Sequence, residues 1–511
     1  MEQREKQVVK NSAILYVRLL FTMAISLYTS RVILNVLGIE DFGIFTVIAG
    51  FISMFSILSD SLSNSISRFI AVALGKEDLN YLKKIFSTSV NIQILLSVFI
   101  LVLLELVGLW FVDNKLNIPI ERRPILNIIF QLSVINFSFG IIRVAFSSLI
   151  IAHEHASFFA KISISEAVLK LVIVFLIKYT TYDRLVAYVF LLMVVTILIT
   201  VWAIIYCVRN FEECKYRLDI DKDLTKSMFG FASWSLVGQG SRVVNFQGIN
   251  VLLNLFFGVT VNAARGIASQ VDGATSQFTN NIMIAINPQI MKSYSTGDYD
   301  YMRKLVCQGS KYAGYITLLF LIPLLLETDI VLKLWLGVVP EYTAIFTRLT
   351  LIATLALVMS STLNTLIQAT GDVKKYQLSY GLVMLANIPV SYMALYIGAP
   401  AWIVYVLYLL LNLLLIFVHI YFVKIHIPFS GGLYLKDVVW KIVYIFLLSA
   451  IVPFLLILIL DQSIIRLLLV SLMSIVSVIV SVYFLGLNNS ERSSAKDAIS
   501  KMNNNFIRHN K

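Results

Sequence analysis

Of the cations that fall inside long apolar stretches of this 511-residue sequence, five stand out: Arg18, Arg143, Lys170, Arg242 and Arg265. A charge at the centre of a membrane-spanning helix costs roughly 2.5–3.5 kcal/mol on insertion scales, so such residues face a protein interior or a wet cavity. Carboxylates are fewer in the apolar stretches, and Asp60, Glu166 and Asp272 are the ones in the helices around these cations. An excess of buried cations favours an anionic ligand, and a guanidinium grips phosphate through two parallel N–H donors. Asn245 and Asn250 share a polar-flecked stretch with Arg242 and add amide donors. Arg18, Arg143, Lys170, Arg242, Arg265, Asn245 and Asn250 are therefore the candidate substrate-binding set. Asp60, Glu166 and Asp272 are the candidate coupling-ion set, able to take up a proton or a sodium ion.

Each candidate has a plainer reading beside the functional one. The cations can pair with these carboxylates or snorkel to an interface. Glu166 and Lys170 are four apart, so on a helix they share a face and can neutralise one another or exchange partners during transport. Arg31 is expected to snorkel towards Glu40 and Asp41. His153 and His155 have no second ligand set nearby in sequence, so a turn is expected there and no metal. The nucleotide-binding P-loop, the Gly-x-Ser-x-Gly elbow and the His-Glu-x-x-His motif are absent. With short connections and no catalytic signature, the chain is not expected to be an enzyme.

The elements that carry these residues follow from composition. At 59% hydrophobic and 14% charged residues, the chain is too apolar for a soluble protein of its length. Apolar runs of about 20 residues recur throughout, each long enough to cross roughly 30 Å of hydrocarbon as an α-helix. Fourteen such runs are expected, at 12–37, 42–72, 87–112, 125–152, 158–178, 184–208, 227–256, 263–291, 306–327, 343–368, 376–397, 400–423, 437–460 and 463–486. The fold class expected is an all-α integral membrane protein with two six-helix lobes related by a parallel internal repeat.

That repeat is visible as an offset of 220 positions. Residues 254–304 slide back onto 34–84, where Gly258 falls on Gly38, Asp298 on Asp78, Tyr301 on Tyr81, Arg303 on Lys83 and Lys304 on Lys84. In a membrane transporter such a repeat points to two similar bundles with the substrate between them. The expected domains are an N-terminal six-helix lobe over 1–208, an inter-lobe loop over 209–226, a C-terminal six-helix lobe over 227–423, helices thirteen and fourteen over 424–487, and a basic tail over 488–511.

Lys and Arg sit mostly at one set of helix ends, 24 against 6 in the connections and tails, which predicts that the termini are cytoplasmic. The formal charge of +12 follows from that asymmetry and implies no nucleic acid. The partner surface it implies is the lipid bilayer. Cys207, Cys214 and Cys307 lie near the inner face and are expected to be reduced.

Three segments carry a family resemblance: SRVILNVLGIEDFGIFTV, LFFGVTVNAARGIASQV and INPQIMKSYSTGD. They resemble the polysaccharide-biosynthesis (O-antigen and capsule) flippases of Bacteroidetes-type bacteria, within the multidrug/oligosaccharidyl-lipid/polysaccharide exporter superfamily. The resemblance implies a flippase in the bacterial inner membrane that moves an undecaprenyl-diphosphate-linked oligosaccharide from the cytoplasmic to the periplasmic leaflet. It implies two lobes that alternate access to a cationic central cavity and no bound cofactor. The drive is expected from a sodium or proton gradient or the membrane potential, and other glycan-assembly membrane proteins are expected partners. Two alternatives stay open: a sodium- or proton-coupled multidrug exporter of the same fold, and a membrane-embedded glycan polymerase or glycosyltransferase.

Overall fold

The structure is a computed structural model and describes residues 2–75, 78–153, 155–214, 221–370, 374–489 and 491–493. Most of the basic tail 488–511 thus lies outside the described residues. The chain is helical, without strands among the described residues. In hydrocarbon no water satisfies backbone N–H and C=O groups, and a helix pairs them within one segment. The helices in chain order are α1 (Glu2–Ser53), α2 (Ser56–Gly75), α3 (Leu79–Leu103), α4 (Leu109–Asn114), α5 (Arg123–Ala152), α6 (Ala156–Leu176), α7 (Arg184–Asn210), α8 (Lys222–Phe257) and α9 (Val259–Ser295). They continue with α10 (Tyr299–Leu326), α11 (Thr328–Leu336), α12 (Thr343–Val358), α13 (Ser361–Thr370), α14 (Lys374–Tyr396), α15 (Ile403–His426), α16 (Gly431–Tyr434), α17 (Lys441–Ile459) and α18 (Ile464–Ser481).

Among the described residues, nine helices are long and apolar enough to cross a membrane, or ten when the pair α12 and α13, bent by 40°, counts as one span. The difference from the expected fourteen has identifiable causes. The run from Arg18 to Ser63 counts once although Gly38 breaks its helical geometry. Helix α6 carries Lys161, Glu166 and Lys170, and α8 and α9 are rich in polar residues. Large apolar side chains such as Leu447, Leu458, Leu468 and Leu472 stay exposed on α17 and α18, the surface expected of a chain solvated by lipid.

The repeat reappears as backbone geometry. Gly38 has φ 82° and ψ 173°, and Gly258 has φ 80° and ψ −171°. That region of conformational space is essentially reserved for glycine. Forty residues after each glycine an aspartate caps a helix: Asp78 accepts from the Tyr81 amide at 2.9 Å and Asp298 from the Tyr301 amide at 3.1 Å. The duplicated residues therefore build the same turn and the same cap twice.

Two compact units divide the chain. The first comprises Met1–Gln270, Trp335–Thr343 and Gln377–Val404. Inside it, the part of α1 after Gly38 lies against α8 and the start of α9. A Cβ on Gly43 would stand 1.9 Å from the Val259 carbonyl oxygen, and one on Gly50 2.5 Å from the Asn250 amide nitrogen. Around the Gly258 turn a set of buried asparagines replaces water. Asn262 donates to the Asn250 backbone carbonyl at 2.7 Å, Asn254 donates to Asn262 at 3.0 Å, and the Asn117 amide donates to Asn254 at 2.8 Å. At the Gly38 end, Arg122 joins Asp41 at 2.7 Å and Asp183 at 2.5 Å, pinning three connections together.

The second unit comprises Val271–Leu334, Ala344–Tyr376 and Tyr405–Lys511. Met283, Ala313 and Val358 form a small apolar core there. Tyr434, fully buried, donates to the Met359 carbonyl at 2.6 Å, and its hydroxyl oxygen lies 2.9 Å from the Ser310 hydroxyl. Arg466 grips Glu327 with two parallel bonds of 2.8 and 2.9 Å. Past α18 the chain turns back, and Glu491 accepts both carboxylate bonds from Lys311 at 2.7 Å, with side chains only 5% and 7% exposed. Burial pushes the Glu491 carboxyl up. The hydrogen bonds from Lys311, the Asn488 amide and Gln308, with the Lys311 charge, outweigh it and hold the carboxyl below its ordinary value.

Two expected outcomes follow. Gly43→Ala forces backbone apart and lowers the thermal midpoint in detergent more than Gly38→Ala or Gly258→Ala, each of which costs about 1–3 kcal/mol; Gly140→Ala, at a helical position with nothing within 4 Å, leaves it unchanged. For Glu491, a depressed folded-state pKa means stability that is present above the ordinary carboxylate range and lost as pH falls through the folded value. Thermal melts across pH should show wild-type stability dropping on acidification. Glu491→Gln should start lower at neutral pH, by about 3 kcal/mol, and vary less with pH.

Candidate functional site

Arg18 is half-buried on α1, where a long helix face packs on α6. Its Nη1 donates to the Ser163 hydroxyl at 3.3 Å, and its guanidinium carbon lies 4.9 Å from the centroid of the Phe159 ring. Ser163 in turn donates to the Phe159 carbonyl at 2.9 Å, which orients its oxygen. The Arg18 Nε is buried without a hydrogen-bond partner. Neutral groups thus surround this guanidinium, and no carboxylate comes within ion-pair range among the described residues.

The α5–α6 cluster is different. Glu166 accepts from Arg143 at 2.8 Å and from Lys170 at 2.7 Å, so one carboxylate serves two cations. The i, i+4 pair on α6 forms, and Arg143 of α5 joins it. The trio retains one net positive charge. Its Lys170 side chain is 42% exposed and the others less, which weakens the attraction each cation offers a ligand.

Arg242 is exposed on α8, and its charge is felt at Tyr380 of α14. No carboxylate lies within ion-pair range of it among the described residues. Arg265 sits 4% exposed on α9, where it donates to the Phe246 carbonyl at 2.5 Å and lies 4.6 Å over that ring. It serves the α8–α9 contact. Asn245 and Asn250, each 2% exposed, are engaged between helices. Asn245 accepts from Asn387 at 2.9 Å and donates to the Met384 sulfur at 3.7 Å, while Asn250 donates to the Thr46 carbonyl at 3.2 Å and accepts from Asn262 at 2.8 Å.

Among the coupling-ion candidates, Asp272 accepts from the Thr354 hydroxyl at 2.5 Å and from Ser276 at 3.5 Å, inside the second unit. Glu166 is held by its two cations, and the Asp60 side chain lies outside the described residues. Arg143, Lys170 and Glu166 are therefore brought together. Arg18 and Arg242 stand on separate helices of the first unit.

Several partners were not foreseen from sequence. Ser163 and Phe159, which frame Arg18, look like ordinary helix residues. Asp41 is bound by Arg122 and not by Arg31, because the short segment before α5 carries Arg122 to the Gly38 end. His153 Nε2 meets Glu213 of the loop after α7 at 2.5 Å, and its ring stacks on Phe211 at 4.2 Å. Burial pushes the Glu213 carboxyl up, but the His153 bond and a backbone amide hold it below the ordinary carboxylate value. No group of three or more His, Cys, Asp or Glu side chains suited to a metal occurs among the described residues.

A family model described as polysaccharide biosynthesis protein matches residues 8–294. No match was found among curated proteins. The lipid II flippase MurJ in its inward closed conformation is similar at a TM-score of 0.70 and 12% identity, over 91% of this chain and 97% of that one. An inward-facing multidrug resistance MATE family transporter of the MOP superfamily is similar at 0.67 and 13% identity, over 82% and 98%. The MATE multidrug transporter DinF-BH is similar at 0.60 and 16% identity, over 81% and 95%. Long apolar helices, Gly-turned hairpins, a charge-bearing interior and a family match over more than half the length converge, and the chain belongs to the polysaccharide biosynthesis protein family, with the fold of the MOP superfamily flippases and transporters.

Proposed function

We propose that this protein is a flippase that carries an undecaprenyl-diphosphate-linked oligosaccharide, destined for O-antigen, capsule or a related surface glycan, from the cytoplasmic to the periplasmic leaflet of a bacterial inner membrane. Family and fold support a membrane transporter and no catalyst. The observation that carries the cargo class is the state of Arg18 and Arg242. Both lie on helices of one unit and lack a carboxylate partner among the described residues, so an anionic headgroup is the counter-ion that best completes them. The Arg143–Lys170–Glu166 trio, with its residual charge, is a secondary contact for the same headgroup.

In this reading the termini are cytoplasmic, the Gly38 end is periplasmic, and the protein exposes the Arg18 and Arg242 region to one side of the membrane at a time. A guanidinium that meets diphosphate releases water only when the sugar-phosphate enters, so the loaded state is favoured by charge and not by lipid contact alone. The drive is a sodium or proton gradient or the membrane potential. Asp272, which already accepts from Thr354, is the carboxylate best placed to take up the coupling cation, with Asp60 and Glu166 as further candidates.

In proteoliposomes loaded with a fluorescent polyprenyl-diphosphate sugar, Arg18→Ala and Arg242→Ala should each slow translocation roughly tenfold to a hundredfold, the loss of one charge-assisted contact. Insertion and melting should stay near wild type. Undiminished flipping in both variants would refute the anionic-cargo reading. Asp272-dependent export of a cationic dye by the wild type would instead identify a multidrug exporter.

A further inference from the structure

A mainly apolar cavity with a basic rim lies in the first unit, away from Arg18. It measures about 490 Å³ and is lined by Tyr28, Arg31, Val32, Asn35 and Val36 of α1, by Val174 and Phe175 of α6, and by Lys178 in the turn after α6. That volume falls within the roughly 300–1,000 Å³ typical of small-molecule sites. On α1 the lining follows helical spacing, Tyr28, Arg31, Asn35, and is the stripe that α1 turns outward. Its neighbours Thr29, Ser30, Ile33 and Leu34 are buried. Tyr28 is 48% exposed and Phe175 44%, and Arg31, Asn35 and Lys178 are exposed as well.

The chemistry of the lining is one-sided. Two cations, a phenol and a carboxamide sit above an aliphatic and aromatic wall, and no carboxylate lines the cavity. The depth is equally informative. Arg31 precedes the Gly38 turn by seven residues, about 10 Å along a helix, and Lys178 stands in the short turn Ile177–Tyr179 that follows α6. Both cations thus sit near one membrane interface, where long basic side chains reach lipid phosphates. A soluble anion would gain nothing from Val174 and Phe175. A phospholipid satisfies both halves of the lining at once.

We propose that this cavity binds an anionic phospholipid of the leaflet at the Gly38 end. Arg31 and Lys178 hold the phosphodiester oxygens, Tyr28 and Asn35 donate to the headgroup and glycerol oxygens, and Phe175 with Val32 and Val36 contacts the first part of an acyl chain. Because the lining joins α1 to α6, the bound lipid stabilises the helix pair that also positions Arg18 beside Ser163 and Phe159. The site does not depend on what the protein transports.

The test uses the full-length protein in detergent, with native mass spectrometry to count retained lipid and thermal melts to read stabilisation. Phosphatidylglycerol, phosphatidylethanolamine and inorganic phosphate are the three probes. Phosphatidylglycerol should be retained and raise the melting midpoint, and the other two should do neither. Arg31→Ala with Lys178→Ala should weaken phosphatidylglycerol binding by about tenfold or more, given roughly a few-fold per interfacial cation. Lys178→Ala alone, in an exposed turn, should give an intermediate loss and serves if the double variant is poorly produced. The exchange Arg31→Lys with Lys178→Arg should preserve binding, and Lys115→Ala, a lysine stacked on Trp110 elsewhere in this unit, should leave it unchanged. Equal retention by wild type and the alanine variants would overturn the site. Equal response to phosphatidylethanolamine would show that headgroup charge is not read. Stabilisation by inorganic phosphate alone would assign the cations to a free anion and overturn the lipid.

Discussion

A charge drawn into a membrane protein needs a counter-charge or a polar or aromatic frame inside the protein, and this constraint runs through much of the structure. Arg122 holds two aspartates, Glu166 holds two cations, Arg466 grips Glu327 with both nitrogens, and Lys311 is matched by Glu491. Apart from the i, i+4 pair Glu166–Lys170, each pair joins different segments of the chain. Breaking one partner away from a buried pair costs about 3–5 kcal/mol, whereas the intact pair contributes little net stability. These pairs therefore act less as a source of stability than as constraints on which helices can be neighbours. Arg122 fixes three connections at the Gly38 end, and Lys311 fixes where the chain goes after α18.

The same constraint applies to uncharged polar groups, and the two glycine turns show how it is met. A hairpin this tight leaves carbonyl and amide groups without helical partners. At Gly258 the buried amides of Asn250, Asn254 and Asn262, with the backbone of Asn117, complete one another. The absence of a Cβ at Gly43 lets α1 come into backbone contact with the start of α9. Small residues and amides thus do together what apolar packing does in a soluble core, because lipid supplies no hydrophobic drive between helices.

What the sequence revealed follows from how local each signal is. The repeat was legible because its determinants, a glycine of unusual φ and an aspartate cap, act within a few residues, and both recur in the structure at the offset of 220. The all-helical membrane class was legible from apolar run length. Run length and apolarity alone give nine or ten crossings among the described residues against the fourteen runs read from the sequence, because α6, α8 and α9 carry many polar residues. Pairing was the least legible. Asp41 and Arg122 are 81 positions apart, and Lys311 and Glu491 180, so proximity in sequence wrongly favoured Arg31 for Asp41. An amide that holds a neighbouring helix and one that awaits a ligand are identical in sequence. Asn245 and Asn250 could not be sorted without their partners.

That sorting sharpens the electrostatic argument about cargo. At an effective dielectric constant near 20, a unit charge brought within 4 Å of another gains about 4 kcal/mol. For the Arg143–Lys170–Glu166 trio, an arriving anion meets a carboxylate as well as two cations, and most of that gain cancels. For Arg265, the guanidinium is already committed to the Phe246 carbonyl and ring. Arg18 is framed by a hydroxyl and an aromatic face, which orient the guanidinium while leaving its charge undiminished. A residue kept charged by neutral neighbours is costly in the membrane when empty, and that cost is removed when a phosphate arrives. The cost is what makes such a cation selective: a neutral lipid leaves it in place and a cationic one adds to it. On the proposed reading the uncharged frame of Ser163 and Phe159 around Arg18 would be part of the discrimination, because replacing either by a carboxylate would relieve the empty state and remove the preference for an anion.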